Sequence, residues 1–95
     1  MKDNQALIVV DVQKDFLETG ALPVKEGSQV VPVINRIIPK FKNVVFTQDW
    51  HPQGHISFAS SHPGIAPYST IDVSYGKQVL WPEHCVQNTS GAEFA

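Results

Sequence analysis

The chain has 95 residues, a formal net charge of −2 and 42% hydrophobic residues, which is typical of an ordinary globular chain. This length allows at most one domain, with a small core. The seven Lys and Arg residues are dispersed, so no basic surface indicates nucleic-acid binding, and no apolar run approaches the roughly 20 residues that cross a bilayer. The single cysteine, Cys85, excludes an internal disulfide and favours a cytoplasmic location.

The first half of the chain predicts a strand, a helix and a second strand. Residues 6–10 form an unbroken apolar run, typical of a parallel-sheet strand that is covered on both faces. Residues 44–47 form a second short run of strand composition. Between them, from Ser28 as a cap to residue 41, apolar side chains recur at helical spacing, although Pro39 should kink or end the helix. The predicted apolar face of this helix consists of Val30, Ile34, Ile37, Ile38 and Phe41.

An aspartate follows each predicted strand. Asp11 comes directly after the first strand, and Asp49 comes two residues after the second. A strand, helix and strand in this order form a right-handed crossover with parallel strands. Both strands then end at the same edge of the sheet, where ligand sites of open α/β folds lie. We therefore expect the two aspartates to converge. Asp11 could act there as a general base, or could merely cap the next loop.

The second half of the chain has little periodicity. Only residues 78–80 indicate a short strand, and the capping box at residues 90–93 predicts the start of a helix. A loop region of this length is unusual inside a complete domain. We therefore interpret residues 1–95 as the N-terminal part of a single larger α/β domain whose C-terminal part is absent. A complete small domain is the alternative.

The stretch QDWHPQGH at residues 48–55 has the side chains of a metal site. Asp49 and His51 project to the same side of an extended segment, and the turn residues before His55 let the chain fold back. A further imidazole, His84, lies in WPEH. Two histidines and a carboxylate that leave coordination positions open suit Zn, Fe or Mn acting as a Lewis acid. The alternative is a solvated loop.

Three other side chains have both a structural and a functional interpretation. Phe16 and Trp81 lie in loop-like segments, where they could simply pack or could form the walls around a flat ligand. Cys85 follows a histidine and so looks like a nucleophile beside its base. Neighbours in sequence usually point apart, however, so an inert, packed cysteine is favoured.

Five blocks of the sequence resemble the nicotinamidases, a family of isochorismatase-like cysteine hydrolases. The blocks are ALIVVDVQKDF, GALPV, TQDWHP, HISFAS and LWPEHCVQ, in this order and over nearly the entire chain. The resemblance implies a three-layer, Rossmann-like α/β fold with a parallel sheet flanked by helices, incomplete in this chain. It also implies hydrolysis of nicotinamide to nicotinate and ammonia, with side activity on pyrazinamide, as in the salvage of pyridine nucleotides for NAD biosynthesis.

The resemblance assigns roles to particular residues. It implies that Asp11 is the acid/base of an Asp-Lys-Cys triad. It implies that Asp49, His51 and His84 bind a divalent metal ion (Zn, Fe or Mn) that holds the pyridine nitrogen, and that His55 occupies a position that adds a ligand in some members.

The remaining implications concern the substrate, the rest of the triad and the partners. Phe16 and Trp81 resemble the walls that grip the aromatic ring. The triad Lys and Cys lie beyond the last matched block, so Cys85 is not the nucleophile and the 95 residues alone are expected to be inactive. The expected partner is nicotinamide, without nucleic acid or membrane. The chain could form a homo-oligomer or pair through its open sheet edge with the missing half. The alternatives are another isochorismatase-like amidohydrolase and an inactive metal-binding fragment.

Overall fold

The computed structural model describes residues 2–95, with side chains from residue 4 onward. Its main elements in chain order are strand β1 (Lys2–Val9), helix α1 (Val30–Ile37), strand β2 (Phe41–Phe46), strand β3 (Thr70–Val73) and strand β4 (Gly76–Val79). Short 3₁₀ segments lie at Lys14–Phe16, Gly27–Gln29, Ile38–Lys40, Ala59–Ser61 and Ser90–Ala92.

Strands β1 and β2 pair in parallel, which confirms the predicted strand–helix–strand unit. Leu7 lies opposite Val44, and Val9 lies opposite Phe46. The pairing continues past the strand ends, because the Thr47 amide donates to the Val9 carbonyl at 2.9 Å. The segments after both strands therefore begin at the same edge of the sheet, as the parallel arrangement requires.

Helix α1 is shorter than the sequence predicts. Phe41, assigned to the helix, is instead the first residue of β2. Pro39 lacks an amide hydrogen and cannot donate to the carbonyl four residues earlier, so the α-helix ends at Ile37 and continues only as a 3₁₀ turn. The predicted cap is also wrong, because Gln29 is the N-cap and the Ser28 hydroxyl donates to Glu18.

The two-stranded sheet is covered on only one face within the described residues. Val31 and Ile34 of α1 line a cavity of about 180 Å³ together with Val9. On the other face, Ile8 and its register partner Val45 are 59% and 51% exposed. Residues 2–95 therefore cover one face of β1, and its predicted cover on both faces stays a prediction.

The second half of the chain contains more structure than its sequence predicts. The expected strand at residues 78–80 is β4, but it pairs with a strand that the pattern did not reveal, β3, in an antiparallel hairpin. The capping box does not start an α-helix in the described structure. Ser90 begins a single 3₁₀ turn without a side-chain cap, and Glu93 forms an ion pair with Lys14.

The buried core lies largely in this loop-rich half. Phe58 and Leu80 are fully buried, and the amides of Tyr68 and Leu80 form backbone hydrogen bonds that close the loop before the hairpin. These loops therefore have a fixed conformation that can hold side chains in place. No helix within residues 2–95 has the length and apolar character needed to cross a membrane.

Leu80→Ala should destabilise the protein by about 2–5 kcal/mol, because it leaves a cavity where a side chain was fully buried. Urea denaturation of the full-length protein measures this change in the free energy of unfolding. Val79→Ala is the matched control: its side chain is 37% exposed, and we expect a cost below about 1 kcal/mol. Equal costs for the two variants would contradict the assignment of the core.

Candidate metal centre

Two parallel β-bridges join the segment that contains Asp49 to the segment that contains His84. In the first, the His51 amide donates to the Cys85 carbonyl at 2.8 Å, and the Gln87 amide donates back to His51 at 2.8 Å. The second bridge joins Phe58 to Trp81. His84 lies between these two bridges in the sequence. Backbone hydrogen bonds therefore fix its position relative to residues 49–58, here called the 50s loop.

The candidate ligand atoms of Asp49, His51 and His84 all lie within 4.8 Å of one another. The Asp49 Oδ2 atom is 3.0 Å from His51 Nε2 and 3.4 Å from His84 Nε2. Ligand atoms that each lie about 2.0–2.2 Å from one ion are separated by about 3–3.5 Å in a tetrahedral site. A carboxylate and two imidazoles at these distances need a proton or a cation between them. Three protein ligands also leave positions open, as in catalytic metal sites.

The hydrogen bonds of His84 fix the nitrogen that faces the candidate site. Its Nδ1 atom lies 2.7 Å from the Pro82 carbonyl oxygen, which can only accept a hydrogen bond, so Nδ1 carries the proton. The lone pair of the neutral ring is then on Nε2, the atom that approaches Asp49. His84 is 4% exposed. A histidine that donates its other N–H to a carbonyl is the usual arrangement of a metal ligand, and this donor set fits a divalent metal ion.

His55 lies beside the centre, but its ring nitrogens are not among the clustered donor atoms. Its ring centroid is 4.8 Å from that of His51. The Ser57 amide donates to His55 Nδ1 at 3.1 Å, so the proton of the neutral ring is on Nε2. In this tautomer His55 offers a hydrogen-bond donor rather than a lone pair. Its role as a further ligand stays a prediction.

Phe58 is a site residue that the sequence analysis did not single out. Its ring centroid lies 5.2, 5.9 and 5.5 Å from those of His51, His55 and His84. The ring is fully buried. It provides an apolar floor that restricts the rotation of the three imidazoles. The only signal in the sequence was an aromatic residue three positions after His55.

Asp11 lies where β1 ends, beside the end of β2. The Thr47 hydroxyl donates to Asp11 Oδ1 at 2.7 Å. Asp11 has a φ of 53°, a strained value for a residue other than glycine. Its side chain lines a cavity of about 320 Å³ together with Phe16. The cavity lining does not include the three candidate ligands, but the Phe16 ring is 5.6 Å from the His84 ring and connects the two places.

The two predicted aromatic walls have different surroundings. Phe16 is half-buried between the cavity and His84. Trp81 is half-buried beside the second β-bridge, and its ring meets Tyr68 edge-on at 5.9 Å. Phe16 therefore contacts a candidate ligand directly, whereas Trp81 is joined to the site through its bridge to Phe58. The contact of either side chain with a substrate ring stays a prediction.

Cys85 is fully buried, in keeping with the inert role that the sequence favours. Burial, followed by the negative charges of Asp49, Asp15 and Asp11, raises the pKa of the Cys85 thiol to about 12. The thiol is therefore neutral near pH 7, and a neutral thiol is a poor nucleophile.

Two polar side chains that the sequence analysis passed over contact the backbone of the ligand segments. Gln13 is fully buried and hydrogen-bonds to the backbone of Asp49. Asp15 accepts a hydrogen bond from the Cys85 amide at 2.7 Å. Their only sequence signal is a pair of polar residues in alternate positions after a buried strand.

Comparison with known proteins identifies the class of protein that this fold and site define. Residues 5–95 match the family model described as the isochorismatase domain. The chain belongs to this family. Among characterised relatives, it is 55% identical over 91 residues to a nicotinamidase from Acinetobacter baylyi, which covers 96% of this chain and 42% of the relative.

Solved structures agree with this assignment. A nicotinamidase and pyrazinamidase from Acinetobacter baumanii superposes with a TM-score of 0.94 at 53% identity, over 100% of this chain and 46% of that one. A pyrazinamidase from Pyrococcus horikoshii in complex with zinc gives a TM-score of 0.74 at 47% identity, over 95% of this chain and 44% of that one. The fold is therefore part of an isochorismatase-like α/β fold, and the chain spans less than half the length of these relatives.

His84→Ala should weaken Zn²⁺ binding by at least about 100-fold, because loss of a partner that only supports a ligand already costs about 10–100-fold. Competition with a chromophoric chelator measures the affinity in the protein as its gene encodes it. His62→Ala is the control, since His62 is bonded to the Ile56 carbonyl and lies outside the cluster. Equal affinities for the two variants would contradict the ligand assignment.

Cys85 should resist alkylation in the folded protein, because its thiol has no exposed surface. Treatment with iodoacetamide followed by peptide mapping should leave the peptide that contains Cys85 unlabelled under native conditions and fully labelled in denaturant. Rapid labelling of Cys85 under native conditions would show that the thiol is accessible and would contradict this packing.

Proposed function

We propose that the protein to which this chain belongs is an amidohydrolase that converts nicotinamide to nicotinate and ammonia. The observation that carries the proposal is the cluster of Asp49, His51 and His84. Asp49 follows β2, and Asp11 follows β1 at the same edge of the sheet, where it is bonded to Thr47. Relatives named nicotinamidase, which match nearly all of this chain, support the choice of substrate.

We propose Asp49, His51 and His84 as the ligands of a divalent metal ion, either Zn, Fe or Mn. The zinc complex of the Pyrococcus horikoshii pyrazinamidase supports a metal of this kind. When bound, such an ion supplies a Lewis acid that a pyridine nitrogen can coordinate. The protein residues orient their donor atoms beforehand, since His84 is tied to the Pro82 carbonyl and His51 to the Cys85 carbonyl. His55 is proposed as a further ligand or as a hydrogen-bond donor to a group bound at the centre.

Hydrolysis of a carboxamide breaks the C–N bond, gives the carbon an oxygen from water and releases the nitrogen as ammonia. A group that accepts a proton from the nucleophile and later donates it to the departing nitrogen serves both halves of this reaction. We propose Asp11 for this role, together with a lysine and a nucleophilic cysteine downstream of the matched blocks. Its bond from Thr47 holds one carboxylate oxygen, which leaves the other for the proton.

Phe16 and Trp81 are proposed to hold the pyridine ring. Phe16 lines the cavity beside Asp11 and also contacts the His84 ring, which supports its place between the proposed catalytic carboxylate and the proposed metal ligands. A ring held between aromatic side chains places its carboxamide at a fixed distance from the catalytic carboxylate, which converts an encounter into an oriented reaction.

Several properties of the whole protein belong to the same proposal. We propose that residues 1–95 form the N-terminal part of a single isochorismatase-like domain, in agreement with the share of each relative that they match. A single buried thiol in this chain is consistent with a cytoplasmic location. We also propose that the protein either forms a homo-oligomer or pairs the exposed sheet with the C-terminal part of the same domain.

Asp11→Asn should lower kcat/KM for nicotinamide by about 10²–10⁴-fold, because the amide keeps the bond from Thr47 but cannot shuttle a proton. Ammonia release by the metal-loaded protein, as its gene encodes it, measures the rate. Asp72→Asn is the matched control, since Asp72 is an exposed carboxylate on the β3–β4 hairpin. Near wild-type turnover by Asp11→Asn would overturn the proposed role.

The same assay separates the substrate alternatives. Nicotinamide and pyrazinamide should be turned over in preference to aliphatic amides, since only the aromatic amides carry a ring nitrogen for the metal. A preference for another amide would favour a different isochorismatase-like amidohydrolase. No turnover of any amide by a protein that binds metal would favour a noncatalytic role.

A further inference from the structure

The two ligand segments of the candidate metal centre are both held by one short stretch, the residues that follow β1. We propose that Gln13 and Asp15 are positioning residues: Gln13 fixes the peptide of Asp49, and Asp15 fixes the peptide that follows His84. This inference rests on the proposed metal centre and adds the residues that give it its geometry.

Gln13 uses both ends of its amide on Asp49 and its surroundings. The Asp49 N–H donates to Gln13 Oε1 at 2.8 Å, and Gln13 Nε2 donates to the Asp49 carbonyl at 2.9 Å. The same Nε2 donates to the Ala92 carbonyl at 2.7 Å. The Gln13 amide nitrogen has two hydrogens for the two carbonyls, and its oxygen accepts the one N–H. These partners determine which end of the amide is oxygen and which is nitrogen. Because Gln13 is fully buried, water cannot replace these bonds.

Asp15 performs the equivalent task for the segment of His84. Its Oδ2 atom accepts the Cys85 N–H at 2.7 Å, while Oδ1 accepts the Ala21 N–H at 3.2 Å. Cys85 has a φ of 49°, a strained backbone conformation immediately after His84. The charge-assisted bond from Asp15 stabilises this conformation. By holding the peptide between His84 and Cys85, Asp15 also fixes the direction of the His84 side chain relative to the other two candidate ligands.

Two glycines, Gly20 and Gly91, pack directly against Asp15 and restrict it to one position. A Cβ atom added to Gly91 would lie 2.2 Å from Asp15 Oδ2, and one added to Gly20 would lie 2.3 Å from the Asp15 carbonyl oxygen. No side chain fits at either position unless Asp15 moves. Neither glycine has a positive φ, so space rather than backbone freedom is the constraint.

Metal affinity is the property that separates positioning from a general contribution to folding. Residues that orient metal ligands typically change metal affinity by about 10–100-fold. A residue that only stabilises the fold should lower the Tm of the metal-free and metal-loaded proteins equally. A positioning residue should also reduce the rise in Tm that the metal produces, because this rise depends on affinity.

The experiment compares Gln13→Met with Gln48→Met in the protein as its gene encodes it. The Gln48 side chain donates to the same Ala92 carbonyl at 2.8 Å, whereas the hydrogen bonds to the Asp49 N–H and carbonyl come from Gln13. Chelator competition with Zn²⁺ should show a Kd raised about 10-fold or more for Gln13→Met and changed less than about twofold for Gln48→Met. Gln13→Glu, which keeps the shape and one acceptor, gives a second readout if Gln13→Met does not fold.

Asp15 is tested in the same assay with Asp15→Ala, Asp15→Asn and Gly91→Ala. Asn retains an oxygen for the Cys85 N–H, so its Kd should lie between those of the wild type and Asp15→Ala. Gly91→Ala should resemble Asp15→Ala because the new Cβ displaces the carboxylate. Unchanged Kd values with a lowered Tm would overturn the positioning role and leave the metal centre intact. Failure of the wild-type protein to bind Zn²⁺ would overturn both proposals.

Discussion

The parallel pairing of β1 and β2 is the constraint on which the rest of the structure depends. It brings the segments after both strands to one edge, so Asp11 meets Thr47 and Gln13 meets Asp49 although each pair is distant in sequence. An antiparallel pairing would send the two segments to opposite ends of the sheet. Helix α1 lies between the two strands in the chain and provides the crossover connection that a parallel pair requires.

The candidate site is then assembled by backbone hydrogen bonds rather than by contacts between the functional side chains. Parallel bridges attach the His84 segment to the 50s loop, and Gln13 and Asp15 attach both segments to the end of β1. Peptide groups held in this way fix the starting point of each side chain. The fold therefore holds the three donor atoms within reach of one another, as the supporting residues of a metal site must do.

Sequence reasoning succeeded where geometry is local or follows from topology. The order of apolar runs predicted the parallel unit, and alternate spacing predicted that Asp49 and His51 face one direction. The approach of His84 follows from no local pattern, and only the family resemblance implied it. Gln13 and Asp15 escaped notice because their partners are peptide groups, whose availability depends on the tertiary fold. The end of α1 was misjudged because Phe41 continues the helical period even though Pro39 stops the helix.

A small core makes polar groups decisive for specificity. Among the described residues, no buried side-chain nitrogen or oxygen lacks a hydrogen-bond partner: both ends of the Gln13 amide and the Ser57 hydroxyl are bonded, and His84 Nδ1 is bonded to the Pro82 carbonyl. A shift of one loop by a single residue would leave such groups unpaired, at about 1–3 kcal/mol each. An apolar core of this size would tolerate such a shift more easily, since hydrophobic contacts are not directional. The buried amide and imidazole therefore select one loop register, and that register is the one in which the three candidate ligands meet.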